Sequence, residues 1–177
     1  LLSQKLFQIF IINANMYQYR LWKIKLYRVC LALICFWAVP VHGQVESVTT
    51  IENLGFGSFS NGGSGGTIIV SSSGSRSSTG SIILLNLGQP HSQALFDVVA
   101  PAGTIISITN GTDATLNGNN GGVMTLTLGP SDPSSPFVAD PSGTTRVSLG
   151  GTLTIGSTAS SPPGTYTGSL YITFNNQ

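Results

Sequence analysis

Beyond residue 44, apolar and polar residues alternate with a period of two along most of the chain. Thr104–Thr109 reads TIISIT and Val123–Leu128 reads VMTLTL, and Thr145–Leu149 and Thr152–Ile155 keep the same rhythm. In Tyr166–Phe174 the alternation puts Tyr166, Gly168, Leu170, Ile172 and Phe174 on one face and Thr167, Ser169, Tyr171 and Thr173 on the other. Shorter apolar runs occupy Thr67–Val70, Ile82–Leu87 and Ala94–Val99. Successive strand side chains point to opposite faces, so β-branched and aromatic residues in runs of this length predict strands.

Turn-forming residues separate these runs. Asn61–Gly66 (NGGSGG), Ser71–Gly80, Asn117–Gly122 (NGNNGG) and Ser157–Gly164 read as connectors. Pro130, Pro133, Pro136 and Pro141 mark a loop unable to pair as a central strand. No window carries a helical stripe. About seven to nine short strands spaced this way predict an all-β protein, an antiparallel β-sandwich, with a closed barrel as the alternative.

The first forty-odd residues are of another kind. Arg20, Lys23, Lys25 and Arg28 precede an apolar run, Val29–Val41, and no acidic residue comes before Glu46. A basic start, a short apolar stretch and small or apolar residues at Val41 and Gly43 predict a signal peptide over residues 1–43, its helix preceding the sandwich. Met16 opens a segment with the length and charge order of an ordinary leader, so residues 1–15 read as an over-extended start. The alternative, a longer membrane anchor that includes Leu6–Ile12, is interrupted by Asn13, Asn15, Gln18 and Arg20. Cleavage after Gly43 leaves residues 44–177 as one domain, secreted, periplasmic or at the cell surface, with no later apolar stretch long enough to span a bilayer as a helix.

That division changes the charge. The whole chain carries a formal +1, but residues 44–177 hold only Arg76 and Arg146 against Glu46, Glu52, Asp97, Asp113, Asp132 and Asp140, a net charge of −4. A domain so poor in cations is a poor partner for phosphates, which argues against nucleic acid. Cys30 and Cys35 both lie in the leader, so burial and backbone pairing must hold the domain together without a disulfide framework.

Three segments carry a family likeness: Leu54–Gly57 (LGFG), Gly66–Val70 (GTIIV) running on through Gly74–Gly80 (GSRSSTG), and Gly150–Gly156 (GGTLTIG) continuing to Pro163–Gly168 (PGTYTG). In order and spacing they resemble the bacterial family called domain of unknown function 4402, short secreted proteins. The closing GTYTG also resembles the last strand of spore-coat-U-like and related chaperone–usher pilins. The resemblance implies an immunoglobulin-like sandwich and a role in surface fibres. Relatives commonly close with an aromatic just before the last residue, where this chain has Asn176. That departure counts against a C-terminus read by a periplasmic chaperone, unless Phe174 substitutes from the face assigned to the core.

Candidate chemistry is sparse. His91, the only histidine after residue 43, sits between Pro90 and Ser92, and no G-x-S-x-G elbow accompanies it, so it reads as an exposed loop residue rather than a catalytic base. Asp113, Asp132 and Asp140 lack the spacing of a calcium loop or a glycosidase pair and read as turn initiators. Arg76, inside GSRSSTG, reads as a tie for loop carbonyls, with anion binding as the alternative. Arg146 reads as mid-strand and outward-facing. NGGSGG lacks the strand-to-helix setting of a phosphate loop, and Asn110-Gly111-Thr112 is a formal sequon given no weight in a bacterial setting. No catalytic, cofactor or metal site is expected, and no enzyme.

Two functions fit. One is a structural or adhesive surface module, pilus-like, self-associating or joining other subunits by strand addition at exposed sheet edges. Gln44–Glu52 is then either the domain's own first strand, the preferred reading, or a donor whose Val45, Val48 and Ile51 are spaced by three rather than two. The other is a monomeric extracytoplasmic glycan- or protein-binding module, for which Tyr171 is the one plausible aromatic platform.

Overall fold

The computed structural model describes residues 44–177, so the leader assigned to residues 1–43 lies outside the described residues. The described chain forms thirteen strands and no helix. In chain order they are β1 (Ser47–Glu52), β2 (Gly55–Phe56), β3 (Phe59–Val70), β4 (Arg76–Leu84), β5 (His91–Ser92), β6 (Ala94–Val99) and β7 (Ile105–Asn110). Then follow β8 (Ala114–Gly118), β9 (Val123–Asp132), β10 (Phe137–Val138), β11 (Thr144–Ile155), β12 (Tyr166–Thr167) and β13 (Ile172–Asn176). Four of them (β2, β5, β10 and β12) are two-residue ladders, which leaves nine strands of five residues or more. The fold is the expected antiparallel β-sandwich.

β11 organises it. One edge of β11 pairs with β9; the other pairs first with β6 (Thr144–Leu149) and then with β3 (Gly151–Ile155). The change of neighbour falls at Gly150, where an added Cβ would collide with the Val70 carbonyl oxygen at the end of β3. Only a residue without a side chain lets the two backbones meet there. β1 extends the large sheet beyond β6, β4 extends it beyond β3, and β8 and β12 extend it beyond β9. A second sheet, β10-β7-β13, and the small β2-β5 pair complete the fold.

The core has two parts. Phe96, Val98, Ile106, Phe137, Val147 and Leu149 are buried between the β6–β11 region and the second sheet. Ile68, Val70, Met124, Leu126, Leu153 and Ile155 fill the other half. Leu54, between β1 and β2, packs against both. Facing away from this core, Thr79, Thr67, Thr154, Thr125 and Thr115 stand in one row across β4, β3, β11, β9 and β8. Thr67 and Thr79 share a 2.7 Å hydroxyl hydrogen bond. This is the polar half of the T-x-T alternation, and such cross-strand pairs each contribute roughly 0.2–1 kcal/mol.

Three local expectations change. NGGSGG is not a connector but part of β3, whose pairing with β4 shifts register between Asn61 and Gly66. Asn61 Oδ1 accepts hydrogen bonds from the amides of Gly63 and Gly65, and Gly65 takes φ +80°, so the extra residues loop out of a continuing strand. The Ser71–Gly80 connector shortens to Ser71–Ser75, because β4 already begins at Arg76. Pro130 lies within β9, near the register shift opposite Leu149 and Gly151, one of the places where a strand tolerates proline.

Candidate functional site

Tyr166–Phe174 was expected to be one strand, and it is two. β12 pairs with β8 in the large sheet, β13 pairs with β7 in the second sheet, and Gly168–Tyr171 passes between them unpaired. Period-two alternation cannot reveal such a crossing, because the side chains keep alternating while the hydrogen-bond partners change. Gln44–Glu52, by contrast, supplies the domain's own first strand: Ser47–Glu52 pairs with β6.

These two arrangements leave an open seam. β1 is an edge of the large sheet and β13 an edge of the second, so each has one flank without a ladder partner among the described residues. Between β1 and the Tyr166–Phe174 segment lies a trough of about 820 Å³, floored by Phe56, Phe96, Leu116 and Leu126. Val48 and Thr50 line it and remain exposed, Val48 at 40%. A second hollow of about 640 Å³ continues from it between the Leu54–Asn61 and Thr158–Tyr166 segments, over Met124 and Leu153. The two hollows share Leu54, Phe56, Leu116 and Tyr166. Side chains elsewhere enclosed between two layers here face open space.

Arg76 does what its sequence context suggested. Its Nη1 donates to the carbonyls of Phe56 (2.9 Å) and Ser58 (3.3 Å), and its Nη2 donates to the carbonyl of Leu85 (2.8 Å). One guanidinium thus fixes the stretch after β2 against the stretch after β4, on one wall of the second hollow. Arg146 is mid-strand, 61% exposed, and paired with Asp97 directly across from it on β6. The guanidinium's hydrogen bonds hold the Asp97 carboxyl below the usual aspartate range, and the carboxylate in turn raises the arginine. The sequence reading missed this partner; opposite charges at matching positions of neighbouring strands were the available signal.

The other candidates stay apart. His91 is exposed in β5, opposite Phe56. Asp140 accepts from the Ser142 amide at 2.8 Å, a turn-capping bond that lowers its pKa. Asp113 is exposed between β7 and β8, and Asp132 ends β9 with its backbone carbonyl accepting from Ser148. Among the described residues no three His, Cys, Asp or Glu side chains gather as metal ligands would. Tyr171 is 77% exposed at the rim of the trough.

Fold and seam together define an all-β domain whose sandwich is open along one side. The chain belongs to the family described as domain of unknown function DUF4402, whose model matches residues 47–175. No curated protein matches the chain, and no solved structure does.

Proposed function

We propose that this protein is a non-enzymatic module of the cell surface or extracytoplasmic space, structural or adhesive, that assembles by accepting an added strand. The observation that supports the reading most is the trough between β1 and β13. It combines two unpaired backbone edges with an uncovered apolar floor. An incoming strand gains main-chain hydrogen bonds along an edge while its alternate side chains fill the hollow. The charge-poor composition agrees with a partner surface rather than with acid–base chemistry. Export, expected from the basic and apolar character of residues 1–43, places the assembly outside the cytoplasm.

The test is the mass distribution of the protein recovered from the cell envelope. Concentration-dependent oligomers, or complexes with other subunits that persist in mild detergent, are expected. A strictly monomeric, partner-free protein at high concentration removes the reading. A second reading, a monomeric glycan-binding module, draws on the exposure of Tyr171. It requires glycan binding that falls in Tyr171→Ala.

A further inference from the structure

We infer that the strand filling this trough comes from another polypeptide, presents uncharged apolar side chains at alternate positions, and sets one cationic group against Glu52. The inference rests on the strand-acceptor reading above and specifies its partner.

The trough is elongated. Val48–Asn61 contributes one wall and Thr158–Phe174 the other, and the two hollows join over Leu54, Phe56, Leu116 and Tyr166. An extended chain fits such a shape, and its side chains reach the floor at every second residue. The floor is apolar along its length, from Phe96 and Leu126 to Met124 and Leu153. Charged residues at those alternate positions would lose water without gaining a partner.

Of all the residues lining the two hollows, Glu52 alone is charged. It stands in the open trough, with water as its partner. A neutral strand laid over it strips part of that water and returns nothing, whereas a lysine, arginine or terminal amine at the matching place restores a partner. Electrostatic complementarity of this kind sets register and choice of partner more than raw affinity.

The donor is not a spare segment of the described chain. Its alternating runs are already paired within its own sheets, and Gln44–Glu52, the donor first considered, holds its place as β1 beside β6.

The experiment titrates synthetic peptides of roughly ten residues, the length of a long strand, into the full chain. All alternate valine and threonine: one is neutral, one set carries a single lysine at successive positions, and a matching set carries glutamate. A composition-matched peptide without alternation is the control. Hydrogen exchange reports on β1 and β13 while affinity is measured. The expected result is protection of both edge strands by alternating peptides only, with one lysine register binding about fivefold more tightly than the neutral peptide. That preference is expected to vanish in Glu52→Gln and to pass to a glutamate peptide in Glu52→Lys. Alternating peptides that bind with no charge preference would overturn the inference and leave the strand acceptor standing. If no alternating peptide protects either edge, the acceptor reading falls as well.

Discussion

Arg146 and Asp97 face each other across β11 and β6, and the guanidinium closes a two-point fork on the carboxylate, with Nε–Oδ1 at 2.9 Å and Nη2–Oδ2 at 3.0 Å. The pair sits where the large sheet must remain one layer while β11 changes neighbours a few residues further on. Its planar geometry fixes direction as well as charge, which a lysine at residue 146 could not do.

The acid response of the domain follows from that pair. The folded Asp97 has a lowered pKa, so its contribution to stability is full above the ordinary aspartate value and is lost as pH falls through the lowered one. Asp140, lowered by the Ser142 amide, acts in the same direction. Thermal unfolding followed from neutral to strongly acid pH is expected to show a falling midpoint at the acid end. Asp97→Asn flattens part of that fall and leaves the Asp140 part in place. An acid limb unchanged in Asp97→Asn contradicts the assignment.

Arg76→Ala removes donors to the carbonyls of Phe56, Ser58 and Leu85 at once. A loss of about 1–3 kcal/mol is expected in urea unfolding. Arg76→Lys is expected to recover little of it, because a point ammonium cannot span carbonyls on two separate segments.

Leu149 is fully buried on β11 in the part of the core shared with the second sheet. Leu149→Ala is expected to cost about 2–5 kcal/mol. Calorimetry or denaturant titration reads it directly.

Gly150→Ala is expected to do more harm than its size suggests, because the new methyl meets the Val70 backbone rather than a yielding side chain. Circular dichroism with a thermal melt should show a lowered midpoint or loss of the cooperative transition. Gly103→Ala, a control whose Cβ meets nothing within 4 Å, carries only the strain of a φ of +83°.

Thr50→Arg tests the seam without touching the core. Thr50 is exposed and lines the trough, so the melting temperature is expected to stay near that of the parent. Strand capture or oligomer formation should drop sharply, as a guanidinium displaces an apolar guest. Unaltered assembly in this variant points to another surface.

Much of the fold was readable because strands half-buried in a sandwich print their two faces onto the sequence. T-x-T at Thr125–Thr127 and Thr152–Thr154 showed strands, and in the structure their threonines form the outer row. Arg76 was readable from its isolation in an almost uncharged chain. What local patterns could not show was pairing. NGGSGG looked like a turn because glycine serves loops and bulges alike, and only the β4 register shows β3 continuing through it. Tyr166–Phe174 looked like one strand because alternation is blind to a change of sheet. The trough depends on that crossing and on which edges stay free, so no window of the sequence contained it.

The placement of the two arginines has a consequence for survival outside a cell. Trypsin-like proteases cut after lysine or arginine and need the chain pulled open across their active site. Residues 44–177 offer no lysine, and each arginine sits in a strand, Arg76 bonded to three backbone carbonyls and Arg146 forked onto Asp97. The folded domain therefore gives such enzymes almost nowhere to begin, and digestion should wait on global unfolding.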